Sequence, residues 1–211
     1  MGQPIVLFGG SFDPVHHGHL IIARAVAETL GVDRVILLPA GRAPHKPGGA
    51  VASGADRAAM VHRAIEDDPL FALDSHDLDC DGPCYTVRTV EHFRTLLGPA
   101  ADLFWLIGAD SLLELHEWYQ PARIARACRI VTAARPGFDP GPLHALRTML
   151  DPDRFDWIRR DILPTPRIDI SATDIRHRVA TGQSIRYLTP RSVEQYINDR
   201  SLYQSSPGSS R

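Results

Sequence analysis

The stretch that most constrains this chain is Val6 to Leu20, VLFGGSFDPVHHGHL, which passes from strand to loop to helix without a spacer. Ile5 to Phe8 form an apolar, partly β-branched run, long enough for one buried strand and too short for a helix. Gly9 and Gly10 are expected to end it, since a glycine pair permits positive φ and lets the backbone approach a ligand that a Cβ would exclude. Ser11, Phe12, Asp13 and Pro14 continue the loop, Pro14 holding the residue before it out of the helical region. From Gly18 the apolar spacing turns helical through Leu20, Ile22, Ala23, Val26, Ala27 and Leu30. Arg24 and Glu28 sit four apart on the wetter side.

A strand, a glycine turn and a helix in succession aim free backbone N–H groups and the positive end of a helix at one point, where an anion binds. His16 and His19, three apart at the helix entry, face the same side of the first turn and reach the same bound group. Two imidazoles placed there suit phosphate oxygens whose charge is increasing. Two other readings fit the same residues. One is an ordinary turn after a strand; the other is a metal site built from Asp13, His16, His17 and His19, imidazole being the commonest metal ligand. His17 by itself reads as a surface histidine.

GGSFDPVHHGHL resembles the signature of the nucleotidylyltransferase superfamily that carries HxGH. Its FDP followed by HxGH is most similar to the nicotinate mononucleotide adenylyltransferases. The resemblance spans roughly residues 4–203. It implies a Rossmann-like, doubly wound α/β fold: a mainly parallel sheet with helices on both faces and a small helical C-terminal segment. A single domain is expected over residues 1–203, followed by a polar Ser, Pro and Gly tail over 204–211 that reads as disordered.

Composition agrees with one such domain. A chain of 211 residues with 44% hydrophobic and 23% charged residues buries a substantial core. Its formal net charge of −2 gives no general reason to expect a nucleic-acid partner, so phosphate binding has to come from local clustering of positive charge. Cys80, Cys84 and Cys128 are an odd set without framework spacing and read as reduced thiols of a cytoplasmic protein. Cys80 and Cys84 invite a zinc reading, but the sequence offers no second cysteine pair nearby. No leader and no apolar stretch of membrane-spanning length, about 20 residues, is seen, so no membrane partner is expected.

Along the chain, Arg34 to Ala40 reads as a second buried strand, completing a βαβ unit. Residues 41–54, rich in Gly, Pro and Ala, read as a binding loop or lid that carries His45 and Lys46. Ala55 to Glu66 reads as an amphipathic helix and Phe71 to Asp74 as a short strand. The following HDLDCDGPC is turn material, and the aspartates Asp74, Asp77, Asp79 and Asp81 in and before it lack the pattern of a calcium loop. Thr86 is a candidate N-cap for a helix running to Leu97. Asp102 to Gly108 is the strongest later strand, and residues just past its end should line a ligand crevice. Asp110 there either accepts ribose hydroxyls or caps a helix beginning at Ser111. Pro121 to Ala127 reads as a helix and Arg129 to Ala134 as a strand, while residues 138–159 show only a helical patch at Leu143 to Leu150. In Ile170 to Arg178, ISATDIRHR, Ser171 is an N-cap candidate with Asp174 three residues on. That turn aims a helix N-terminus, two hydroxyls and Arg176 at one spot, where a triphosphate tail can bind. Arg191 to Asn198 closes the chain with a last helix.

The resemblance implies transfer of the adenylyl group of ATP to nicotinate mononucleotide, giving nicotinate adenine dinucleotide and pyrophosphate. His16, His19 and Arg176 would be the catalytic residues. ATP would lie against Gly9, Gly10, Ser11, Phe12, His16, His19, Lys46, Gly108, Asp110, Arg135, Ser171, Thr173 and Arg176. The mononucleotide would lie against Ser11, Lys46, Tyr85, Thr86 and Trp118. Mg²⁺ would be held by substrate phosphates, with no metal ligands from the protein. The pattern leaves room for a homo-oligomer. Two positions depart from the family: Arg88 replaces an acidic residue in YTVRT, and Ala172 replaces a serine in ISATDIR. The alternatives are a nicotinamide mononucleotide adenylyltransferase and a nucleotide-binding regulatory module without catalysis.

Overall fold

The computed structural model describes residues 4–41, 50–80 and 82–204. Strand β1 runs Ile5–Gly10, two residues beyond its apolar core, so Gly9 and Gly10 lie inside the strand and do not end it. Neither glycine has a positive φ; the left-handed residue is Phe12, at φ 46°. What requires glycine at position 9 is packing. A Cβ there would lie 2.8 Å from the indole of Trp105, and one on Gly10 would lie 3.0 Å from the ring of Phe12.

The remaining strands among the described residues are β2 (Val35–Pro39), β3 (Phe71–Leu73), β4 (Leu103–Gly108), β5 (Arg129–Ala134) and β6 (Ile162–Pro164). They form one sheet in the order β3-β2-β1-β4-β5-β6, and every pairing is parallel. The chain direction across the sheet reverses between β1 and β4, which is where open α/β sheets of this order hold their ligands.

The helices among the described residues are α1 (His17–Leu30), α2 (Gly54–Ile65), α3 (Thr86–Leu97), α4 (Ala109–Glu114), α5 (Pro121–Ala127), α6 (His144–Met149), α7 (Pro152–Arg160), α8 (Ala172–Ala180) and α9 (Arg191–Asp199). A 3₁₀ turn, Leu115–Glu117, follows α4. Strand alternation sends side chains into two cores. Val6, Val35, Leu37, Phe104 and Leu106 pack beneath α1, α2, α8 and α9. Leu7, Ile36, Leu38, Trp105 and Ile107 pack on the opposite face with α3, α5, α6 and α7. The doubly wound, Rossmann-like architecture expected from the sequence is therefore present, with the short α8 and α9 as its helical C-terminal segment.

Several local expectations change. Tyr85, not Thr86, is the residue before α3, and Thr86 is its first helical residue with no cap bond from either side chain. Helix α4 begins at Ala109, so Asp110 is inside its first turn and does not cap it. Helix α7 lies almost wholly in the 138–159 stretch where the sequence showed only the patch that becomes α6, and edge strand β6 follows it. The signals there were Pro152 at the first helical position and the buried pair Phe155 and Ile158. No helix among the described residues is long and apolar enough to cross a membrane. The expected tail from Gln204 lies, from residue 205 on, outside the described residues.

The tight packing at position 9 has a measurable consequence. Trp105 is only 4% exposed and packed into the core of that face, so displacing its ring disturbs the neighbours around it. Gly9→Ala should therefore cost about 1–3 kcal/mol, the usual price of overpacking a core. Urea denaturation that leaves the midpoint unchanged would show that the indole has somewhere to move.

Candidate active site

The C-terminal ends of β1 and β4 open into a cleft of about 840 Å³. Gly10 and Ser11 leave β1 into it, and the chain then crosses to α1, whose N-cap is His16. The N–H of His17 is accepted by the Leu188 carbonyl at 3.0 Å, which pins the helix entry to the C-terminal segment. The His16 backbone N–H donates to Nδ1 of His19 at 3.3 Å. Nδ1 of His19 is thus an acceptor, which puts the ring proton on Nε2. The two imidazoles stack with centroids 3.7 Å apart, and the Phe12 ring meets His19 edge-on at 5.0 Å. Gly18 between them is a spatial requirement, since a Cβ would come within 3.0 Å of the His16 ring.

His16 and His19 do share one side of the first turn, but they are not equivalent. His19 lines the cleft, whereas His16 is 6% exposed and stands behind it. Burial, with a smaller contribution from neighbouring His17, lowers the His16 pKa from 6.5 to about 4, so the ring is neutral at pH 7. The unfolded chain takes up a proton as pH falls through 6.5 while the folded chain does so only near 4, so stability falls with pH across that window. Between pH 7.5 and 5 the loss attributable to His16 is about 2 kcal/mol. His16→Gln should flatten that part of a stability-versus-pH curve measured by urea denaturation. An unchanged slope would show that His16 does not cause it.

The second wall comes from the N-terminus of α8. Ser171 Oγ accepts from the Asp174 N–H at 3.0 Å, the capping role its position suggested. Arg176 Nη1 donates to the backbone carbonyl of Asp13 at 2.7 Å, and Nη2 donates to Thr173 Oγ1 at 3.2 Å. Asp13, buried to 3% exposure, is the junction of this region. Its carboxylate accepts from the N–H groups of Val51 and Ala52 at 2.7 and 3.1 Å and from the Tyr203 hydroxyl at 2.7 Å, and it lies 4.0 Å from Arg176. Arg57, also buried, donates to the Ser11 carbonyl at 2.8 Å. Asp13 thus ties the first loop, the far end of the 41–54 loop, α8 and the C-terminal Tyr203 together. These contacts leave Asp13 committed to structure, which removes it from the metal set considered with the three histidines.

The opposite end of the cleft is aromatic. The rings of Tyr85 and Tyr119 lie 4.5 Å apart, and Trp118 and Trp105 complete the wall. Arg88 is exposed with its guanidinium 5.9 Å from the Tyr85 ring, and does not line the cleft. Asp77 and Cys84 also reach the cleft wall. Asp77 is 6% exposed and accepts from Thr89 Oγ1 at 2.6 Å; desolvation raises its carboxyl pKa. Burial likewise pushes up the Cys84 thiol.

Of the residues selected from the sequence, Gly9, Gly10, Ser11, Phe12, His19, Tyr85, Thr86, Gly108, Trp118, Ser171, Thr173 and Arg176 line this one cleft. His16 stands just behind it. Asp110 is exposed and off the lining, and so is Arg135, whose nearest partner is Asp169 at 3.8 Å. His45 and Lys46 lie outside the described residues. Sequence reasoning missed Trp105, Tyr119, Glu114 and Glu117 on the lining, and the structural roles of Asp13, Arg57 and Tyr203. Trp105 was legible only as part of an apolar strand, and the other roles are long-range pairings that carry no local signal.

A parallel sheet with this strand order, open at the β1–β4 switch and walled by an imidazole-bearing and a guanidinium-bearing helix start, has the build of a nucleotidyltransferase. The family model described as cytidylyltransferase-like matches residues 7–178. A protein of Thermomicrobium roseum named "Probable nicotinate-nucleotide adenylyltransferase" is 42% identical over 199 residues, covering 94% of this chain and 91% of its own length. A protein of Yersinia enterocolitica with the same name is 39% identical over 208 residues, covering 94% of each chain. The chain belongs to the nicotinate-nucleotide adenylyltransferase family. Its fold also matches the nicotinic acid mononucleotide adenylyltransferase of Plasmodium falciparum complexed with NaAD, with a TM-score of 0.70 at 15% identity over 95% of this chain and 97% of that one.

Proposed function

We propose that this chain transfers the adenylyl group of ATP to nicotinate mononucleotide, forming nicotinate adenine dinucleotide and pyrophosphate on the route to NAD. The observation that carries the reading is the meeting of His19 and Arg176 in one cleft, their segments joined by a contact between residues 163 positions apart. The relatives' shared name supplies the substrate.

The mononucleotide phosphate oxygen attacks the α-phosphorus of ATP in line. It is anionic at neutral pH, so no protein nucleophile and no covalent enzyme intermediate is required. The protein's task is placement and charge stabilisation. His19 donates through Nε2–H to the α-phosphate as its charge redistributes. Arg176, with the Ser171 and Thr173 hydroxyls and the N-terminus of α8 beside it, holds the leaving β- and γ-phosphates. His16 supports this from behind the cleft wall, through its stack on His19. Lys46 holds one phosphate group, the adenosine lies toward Gly108, and the nicotinate ring lies against Trp118 and the Tyr85–Thr86 wall.

The phosphate end of the cleft offers imidazole, hydroxyl and guanidinium groups, with the Asp13 carboxylate already committed. That donor set suits a Mg²⁺ held by phosphate oxygens and water and not by a protein cage. The ion would neutralise the triphosphate. We assign the enzyme to the cytoplasm, as a single domain over residues 1–203 acting on small molecules, with a homo-oligomer compatible with the family.

Pyrophosphate release from ATP, measured with each mononucleotide in turn, tests the reading. The acid mononucleotide should give a kcat/KM at least ~10-fold above the amide, since one well-placed polar contact is worth about 1.4 kcal/mol. A strong amide preference would reassign the substrate. ATP binding without pyrophosphate release from either would identify a regulatory module.

A further inference from the structure

We propose that His76, Asp77, Cys80 and Cys84 form a structural zinc site on the loop before α3, beside the aromatic wall of the cleft. The sequence gives C-x₃-C without a second cysteine pair, which argued for free thiols. The fold supplies the missing pair from residues that precede it. The Leu78 and Asp79 N–H groups donate to the Ser75 carbonyl at 2.8 and 3.3 Å, and the His76 N–H donates to Asp74 Oδ1 at 2.8 Å. These turns coil the loop so that one ligand atom each from His76, Asp77 and Cys80 lies within 4.8 Å of the others. The Cys84 sulfur then arrives from the start of α3, 2.7 Å from Cys80 Sγ and 3.2 Å from Asp77 Oδ1.

Ligands of tetrahedral zinc, bound at about 2.0–2.3 Å, stand roughly 3.3–3.8 Å from one another. The three-residue group needs a contraction of about an ångström to reach that spacing, and the two cysteine sulfurs, 2.7 Å apart, need to open by about as much. Its members are also held from behind. Thr89 Oγ1 donates to Asp77 Oδ1, and the His76 ring stacks on His92 at 4.0 Å with the planes 9° apart. Metal ligands are oriented in this way by outer hydrogen bonds and packing. Two thiols and a carboxylate converge here, and no Lys or Arg forms an ion pair with Asp77 among the described residues. A divalent ion supplies the balancing charge as the two thiols release their protons to solvent. Two thiolates and an imidazole select zinc over magnesium or calcium, which take oxygen ligands.

Four protein ligands leave no open position, so the ion is structural and not catalytic. Its place gives it a consequence for the cleft. Asp77 and Cys84 line the wall, Tyr85 and Thr86 follow Cys84 directly, and a Cβ on Gly41 would overlap the Asp77 carbonyl oxygen. The ion would fix the start of α3 and the point where the 41–54 loop departs. Metal binding does not depend on the adenylyl-transfer reading, because the test reads the metal itself.

The full chain, purified under reducing conditions, is equilibrated with micromolar Zn²⁺, desalted and analysed for metal; in parallel it is titrated with Co²⁺ while thiolate-to-cobalt and tetrahedral d–d bands are recorded. About one equivalent of zinc per chain, cobalt bands that zinc abolishes, and affinity reduced ~100-fold or more in Cys80→Ser and His76→Ala but kept in Cys128→Ala are expected. Absence of thiolate–cobalt bands in the wild-type chain would overturn the proposal, whether or not the variants fold. So would zinc binding that the Cys80 and His76 substitutions leave intact. A Cys80–Cys84 disulfide in the reduced preparation, seen as a mass lower by two hydrogens, would overturn it as well.

Discussion

His19→Ala should lower kcat by about 10²-fold or more while the protein remains folded. The imidazole is held on three sides, by the His16 ring at 3.7 Å, by Phe12 at 5.0 Å and by the His16 N–H on Nδ1, so its Nε2–H is aimed without further ordering. A preorganised donor of this kind acts on charge that develops in the transition state, which places the loss in kcat more than in the KM for ATP. Half-exposed and outside both cores, His19 contributes little to folding, so circular dichroism and the denaturation midpoint should change little. Steady-state kinetics of a folded, ATP-binding His19→Ala that is still fully active would remove His19 from the reaction.

Asp13→Ala should have the largest effect on stability, about 3–5 kcal/mol. It removes the acceptor of two backbone N–H groups and one hydroxyl, and leaves Arg57 and Arg176 without their buried counter-charge. Tyr203→Phe removes one of these bonds and should cost about 1 kcal/mol. The same change frees the C-terminal end of the chain from the first loop. Activity should fall in Asp13→Ala even where the variant is still folded, because Arg176 reaches the cleft by way of the loop that Asp13 fixes. Urea denaturation of the two variants checks the order, and equal losses would show that the carboxylate is not a shared hub.

The stretch from β1 into α1 was legible because it combines three local signals, a β-branched run, a turn and a helical period, and the resemblance added the roles. One of the two reasons for which the glycines were read, a positive φ, does not hold. Position 9 needs glycine because of Trp105, a residue almost a hundred positions later, and no local pattern carries that information. Ser171 was legible as a cap because capping is a three-residue relation. Asp13 was not legible as a hub, since its partners at Val51, Ala52, Arg176 and Tyr203 are joined to it only by the fold. Asp110 and Arg135 were chosen by their positions after strands, and side-chain direction is what position alone does not fix. Helix α7 was passed over because its apolar face is only Phe155 and Ile158, diluted by five charged neighbours in PDRFDWIRR.

Adenylyl transfer by this cleft requires one triphosphate lying between the start of α1 and the start of α8. A crystal structure of the chain with a non-hydrolysable ATP analogue measures that directly. The α-phosphate should lie within hydrogen-bond distance of His19 Nε2, with the β- and γ-phosphates on Arg176 and the N-terminus of α8. An analogue bound elsewhere, or one whose phosphates turn away from both side chains, would contradict it.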